Sequence, residues 1–442
     1  MAAIITQDMR IKNASNFIDT IADAGESIYF YIGRSQEWPN SDSDVADPED
    51  STAKVNETKS KIFAMKIVAG SDVTNAITRY NWTSGQTYSE WDDQDELIYN
   101  KQFYVITDEF NVYKCLQAGT GPSLNKPTGT NTAAQNDESA DGYIWKYMFT
   151  LSGTQSTKFL TNSFIPVYTT DPAVDDGSQQ YNVQAAAADG GIHRIKVTAG
   201  GSGYTSIPTV VINGNGSGCS ASATIDVNTG TVTAIDVPKV SVGSGYSIAS
   251  VEITGGGGTG ATARAIISPA GGHGYDPVRE LGGYFMMANI QLDGAVGDGD
   301  FPIDNDYRQL GLMRNPLNFG TSTVATATTL NTTYTINYTN GSGTFLPDDL
   351  IEGSVTETQA YIDSVDTTNE KVRYHQEAAS GFGTFQVGET ITGSVSGATA
   401  TISSVDDPES DPFTGEILYI ENRTRVNRSE NQIEDIKLVL EF

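Results

Sequence analysis

Cysteine, histidine and basic residues are all scarce in this 442-residue chain. The two cysteines, Cys115 and Cys219, cannot make a disulfide framework and stand at no zinc-binding spacing. The three histidines, His193, His273 and His375, include no H-E-x-x-H pair. His273, in "GGHGYDP", has the one distinctive setting and is read as a packing or turn residue. No Gly-Lys pair occurs, which excludes the phosphate loop whose lysine meets the terminal phosphates. G-x-S-x-G is missing too, and with it that nucleophile elbow. No run approaches the roughly 18 apolar residues of a membrane helix, and the opening "MAAIITQDMRIKN" lacks an apolar core of signal-peptide length. These absences predict a protein made and folded in a reducing cytoplasm, with no cofactor, no metal and no membrane partner. Its N-x-S/T triplets, at Asn56, Asn81, Asn331, Asn337, Asn422 and Asn427, are then expected to be unglycosylated.

Positive charge is the other shortage. Lys and Arg number 26 against 55 Asp and Glu, a net charge of −29. Nucleic-acid binding rests on cationic contacts to phosphates, so a nucleic-acid partner is excluded. Anionic membranes are disfavoured for the same reason, and a solvated, soluble surface is expected.

Glycine, tyrosine and β-branched residues are abundant instead, a β-rich and turn-rich profile. Residues 7–23 carry Met9, Ile11, Phe17, Ile18 and Ile21 at partly helical spacing, which predicts a short N-terminal helix. Strands follow at "ESIYFYIG", "FYVIT", "VYKCL" and "YIWKYMF", with the middle pair forming a hairpin about "DEFN". Residues 39–51 are acidic and read as an exposed loop, and residues 126–142 as a long polar loop. "KIFAMKIV" fits either a strand or a helix.

Two internal duplications interrupt this pattern. Ser202-Gly203-Tyr204 returns as Ser244-Gly245-Tyr246, and Gly218-Cys219-Ser220-Ala221 as Gly260-Ala261-Thr262-Ala263, both at a shift of 42. Residues 341–366 match residues 381–406 without gaps at a shift of 40, pairing Phe345 with Phe385, Ile351 with Ile391 and Ile362 with Ile402. The expected architecture is mainly β: a β-sandwich-like body with a short N-terminal helix and two inserted β-repeat modules. The body takes residues 1–188, 271–320 and 411–442. The modules take 189–270, the duplicated GSGY unit, and 321–410. The glycines of "GGSGYTS" precede a β-branched stretch with Pro208, not a helix, so they are read as strand turns with Tyr204 and Tyr246 packing on each unit, not as a dinucleotide loop.

Few side chains suggest chemistry. Residues 293–306, "DGAVGDGDFPIDND", put Asp298, Asp300, Asp304 and Asp306 on one loop, an oxygen density that suits Ca²⁺. The EF-hand spacing is absent, and a solvated turn is the reading. One basic cluster stands out: Arg423, Arg425 and Arg428, between the last two strands. Either it docks an acidic neighbour, or its loop is balanced by Glu421 and Glu430. The aromatic strands line a sugar groove or, as is commoner, form sheet core. No catalytic residue is assigned.

Several phrases carry more than composition does. "NFIDTI" (16–21) is followed by "IYFYIGRSQEW" with Gly33, Arg34 and Trp38, then by "VYKCL" and by "DGYIWKYMF" with Asp141, Gly142, Tyr143 and Trp145. "YRQLGLMRNPL" (307–317) and "LYIENR…QIEDIKLVLEF" with Glu421 and Asn422 complete the order. Together they resemble a baseplate wedge subunit of contractile-tailed, T-even-like bacteriophages. The resemblance implies a non-enzymatic, β-rich building block that pairs as a homodimer and contacts other baseplate wedge proteins. It would help hold the hexagonal plate together at the tail tip of the virion, after assembly in the host cytoplasm. It implies folding or interface roles for the residues just named. It does not extend to the two repeat modules. The alternatives are a tail-associated adhesin that binds host surface glycans through those modules, and a polysaccharide depolymerase.

Overall fold

The computed structural model describes residues 3–23, 25–133, 141–294, 306–428 and 432–442. Strands dominate, arranged in several separate sheets, and the N-terminal helix spans Gln7–Ala22. The chain divides into two compact units. One comprises Met1–Asn16, Thr74–Met287 and Val439–Phe442; the other comprises Phe17–Val73 and Ala288–Leu438.

In the first unit the hairpin Tyr104–Ile106 and Asn111–Gln117 is extended by Ile144–Thr150 into a three-stranded sheet. Both faces are covered. Val112, Met148 and Phe149 pack into one core, and Tyr113, Tyr143, Trp145 and Tyr147 into another. Burial on both faces explains why "VYKCL" and "YIWKYMF" are almost continuously apolar. The GSGY segment builds its own sheet, in the order Ser222–Asp226, Thr231–Asp236, Ile192–Ser202, Thr259–Ile267, with a two-stranded ribbon of Thr209–Gly214 and Ala249–Thr254.

The two GSGY copies are interleaved rather than side by side. The ribbon pairs a strand from each copy. Tyr204 of the first copy is buried against the glycines of the second: a Cβ on Gly258 would come within 2.5 Å of Tyr204 Cγ. Tyr246 of the second copy lies in the same way over Gly216 of the first. Each tyrosine therefore fills the space that the other copy's glycine leaves empty.

The second unit holds a five-stranded antiparallel sheet, ordered Thr329–Asn331, Ile62–Ile67, Ile28–Gly33, Tyr307–Arg314, Glu416–Val426. Tyr29, Tyr31, Met65 and Met313 form its core. "KIFAMKIV" is thus a strand, preceded by the helix Thr52–Ser60, which Ser51 caps by accepting from Lys54 N. The second duplication closes into a six-stranded barrel around Ile336, Ile351, Ile362, Ile391 and Ile402. The two copies meet directly where Leu350–Gly353 pairs with Thr390–Gly393.

Exchange between copies recurs in the barrel, now through carboxylates. Asp349 accepts from Val395 N at 2.8 Å, Ser396 N at 3.0 Å and Ser394 Oγ at 2.9 Å. Forty residues on, Glu389 accepts from Val355 N and Thr356 N, both at 3.0 Å. Both acids are buried. Burial pushes each carboxyl pKa up, but these hydrogen bonds outweigh it and hold both below the ordinary carboxylate value. A depressed native pKa adds stability above the unfolded value of about 4, and that stability is lost as pH falls through the native value. Asp349→Asn and Glu389→Gln each replace a charge-assisted acceptor by an amide and are expected to cost about 2 kcal/mol at pH 7. Urea unfolding at pH 7 and again below pH 4 checks this: the gap between wild type and variant narrows in acid.

Candidate functional site

The residues singled out in the sequence fall in two places, one in each unit. In the second unit, the strand Glu416–Val426 lies at the end of the five-stranded sheet and pairs with Tyr307–Arg314, placing Asn422 opposite Gln309. Gln309 Nε2 donates to Asn422 Oδ1 at 2.7 Å, and Asn422 Nδ2 donates to Ala46 O at 2.8 Å. Glu421 accepts from Tyr419 OH at 3.0 Å and pairs with Arg423 at 3.2 Å. Arg425 pairs with Asp306. Arg423 and Arg425 thus belong to a strand, not to the loop expected for them, and their side chains are 43% and 55% exposed.

Arg428 departs from the interface expectation. Its side chain is 1% exposed and lies 3.1 Å from Glu434 of the following strand. An acidic neighbour cannot reach it there, because the chain's own Glu434 supplies the carboxylate. Glu430, the other balancing acid expected, lies outside the described residues.

Gly33 and Arg34 lead Trp38 to the same strand. A Cβ on Gly33 would meet Lys61 O at 2.7 Å. Arg34 follows with φ 57°, in the left-handed region that few non-glycine residues adopt. Its backbone N–H donates to Lys61 O at 2.9 Å. The chain turns out of the sheet here and brings Trp38 back against it. Trp38 Nε1 donates to Arg423 O at 2.8 Å, and the Arg34 guanidinium lies 4.1 Å from the Trp38 ring centroid.

Arg308 was not anticipated, yet it anchors this region. Buried in the sheet, it binds Asp42 with two nitrogens, Nε to Oδ1 at 2.5 Å and Nη2 to Oδ2 at 2.8 Å. Nη1 reaches Asp306 at 2.8 Å and also donates to Ser35 O. The guanidinium holds the Asp42 carboxyl below its ordinary pKa. Only arginine offers this planar fork.

The second place is in the first unit. Asp141 accepts from Leu124 N at 2.8 Å, Asn125 N at 3.0 Å and Tyr143 N at 3.2 Å, which joins it to residues 124 and 125. Gly142 has φ 79°. Tyr143 donates to Gly121 O at 3.0 Å and stacks on Trp145 at 5.8 Å. These are loop-closing and core contacts. The same sheet also hides Lys114, whose Nζ reaches Glu280 Oε2 at 2.8 Å and His273 Nδ1 at 3.0 Å. A lysine inside the apolar phrase "VYKCL" was the available signal for this pair.

One arrangement resembles catalytic machinery. Ser35 Oγ donates to Asp363 Oδ1 at 3.2 Å, and His375 Nδ1 lies 2.8 Å from that same oxygen. The hydroxyl is bound to the carboxylate, not to the imidazole, so the histidine cannot serve it as a base. Among the described residues no cluster of His, Cys, Asp and Glu is placed to hold a metal ion. The aspartates 298, 300 and 304 lie outside the described residues. Among the described residues no helix is long and apolar enough to cross a membrane.

No family model matches the sequence. Over 201 residues the chain is 24% identical to baseplate wedge protein gp8 of Enterobacteria phage T4, covering 37% of this chain. The chain spans 60% of the length of that relative. The similarity is weak and supports a relationship to phage baseplate wedge proteins at a coarse level.

Removing Arg308 leaves Asp42 facing the sheet without its fork. Arg308→Lys keeps the cation but loses the fork, and is expected to lower stability by about 2 kcal/mol, the range for hydrogen bonds to a charged group. Limited proteolysis checks the local effect: cleavage within residues 36–51 accelerates in the variant.

Proposed function

We propose that this chain is a structural component of a phage tail baseplate wedge, located in the virion tail, which holds neighbouring wedge proteins together in the plate at the tail tip. The observation that carries the reading is the similarity to a baseplate wedge protein. The ordered phrases of the body and the mostly β architecture support it. The role is association, not catalysis, and its partners are other wedge proteins and a second copy of itself in a homodimer. A homodimer is an isologous pairing, with one patch used by both copies. The comparison lends no support to the glycan-binding alternative.

The exposed arginines suit such a role. Arg423 and Arg425 sit on a terminal strand of a sheet, in a chain with a large excess of acid. A partner that supplies carboxylates there meets cations that are paired yet solvent-accessible.

Light scattering on the purified protein is expected to give twice the 47.2 kDa chain mass. Mixing it with the neighbouring wedge proteins is expected to give a larger stable complex. A strict monomer that joins none of them overturns the reading, as does immunogold label on the capsid instead of the tail tip.

A further inference from the structure

The first unit contains a cavity of about 210 Å³ behind the Lys114–Glu280 pair. It is bounded by the strand Ile144–Thr150, residues 186–188, the start of the strand Ile192–Ser202 and His273. For so acidic a chain its lining is unusual. Among the described residues Lys146, Arg194 and Lys239 contribute three cations and Asp236 one carboxylate, and Arg194 also lies 3.8 Å from Glu90.

The hydrogen-bond roles around it are fixed by chemistry. An ammonium group only donates. Lys114 therefore gives one N–H to Glu280 and another to His273 Nδ1, which must accept. Burial, then the Lys114 charge, push the His273 pKa well down, so its ring is neutral. With Nδ1 accepting, the ring proton resides on Nε2, and this cavity-lining histidine is a donor at that atom.

Lys146 also lines the cavity and is buried. It donates to Thr132 O, which leaves two N–H bonds to satisfy. Among the described residues no carboxylate lies within ion-pair distance of it. Burial pulls its pKa down to about 8. His193, its ring 5.1 Å from that of His273, has no hydrogen-bond partner among the described residues. Burial holds its pKa down to about 4, so it is uncharged at neutral pH. A buried ammonium with a single neutral partner is costly, and the missing partner is an anion.

We propose that this cavity binds a small oxyanion, a phosphate or a carboxylate, held by the Lys146 ammonium and the Nε2–H of His273. The guest is an acceptor without donors, because the inner groups offer N–H bonds. It is a few heavy atoms to a small dicarboxylate in size, because the volume excludes a nucleotide. Lys239 complements a second negative charge. The inference does not depend on the wedge assignment: it stands if the chain assembles with other partners, and it can fail while that assignment holds.

Isothermal titration of the full chain tests it, with inorganic phosphate and succinate in separate arms and sodium chloride at equal ionic strength as control. Saturable binding at pH 7 is expected for at least one of the two. Phosphate alone identifies a phosphoryl guest, succinate alone a carboxylate. Affinity is expected to fall about tenfold between pH 7 and pH 9, as the Lys146 ammonium is lost. Lys146→Met removes an incompletely paired buried charge, so it should fold with an undiminished urea midpoint and bind at least tenfold more weakly. Should that variant fold poorly, the wild-type pH series carries the test. No saturable heat with either anion, a response matched by chloride, or affinity that does not change with pH overturns the proposal.

Discussion

A turn closed by a carboxylate from the other copy is the constraint on which the barrel depends. Asp349 holds backbone N–H groups at residues 395 and 396, and Glu389 holds those at 355 and 356. Neither half can satisfy its own turn, so neither is complete alone. The GSGY copies obey the same rule with different chemistry, each tyrosine lying over the other copy's glycine. In both, duplication made a unit that closes only as a pair, which converts sequence repetition into one cooperative core.

This closure also explains how such units fit into a chain. Ile192–Ser202 and Thr259–Ile267, the first and last long strands of the GSGY segment, pair antiparallel, with Ile192 opposite Ile267. In the barrel, Thr335 lies opposite Asp406. Each module is therefore entered and left at neighbouring points. Such a unit adds length to a loop without separating the loop's ends, and long loops cost little extra entropy.

Much of this was legible in the sequence, and the misses share a cause. The N-terminal helix, the hairpin and the strands came from periodicity, and both duplications from self-alignment. Self-similarity shows which positions correspond but not which ones touch, so the exchange between copies was invisible. The helix Thr52–Ser60 has Val55 as its one large apolar residue, and its start is set by the Ser51 cap, a signal that a hydrophobic pattern does not carry. Arg428 looked accessible because Glu434, from the next strand, comes beside it only in the folded chain. Charge composition likewise suggested a solvated surface. It could not reveal that the side chains of Arg308, Lys114 and Arg428 are buried and paired with acids.

The phrases behind the family resemblance gain a physical meaning from the second unit. Gly33-Arg34-Ser35…Trp38 and Glu421-Asn422-Arg423 stand almost four hundred residues apart, yet Trp38 bonds to the backbone of Arg423. They are two halves of one junction, in which a left-handed arginine turns the chain and a tryptophan fastens it to the terminal strand of the sheet. Arg308, from the "YRQLGLMRNPL" phrase, ties the intervening loop to the same place. Ser35 then reaches Asp363 in the barrel. A segment whose sequence resembles a wedge protein thus also secures the module that the resemblance leaves unexplained. The barrel is bonded to the junction on which the terminal strand depends, so its position is tied to that strand and to Arg423 and Arg425 upon it.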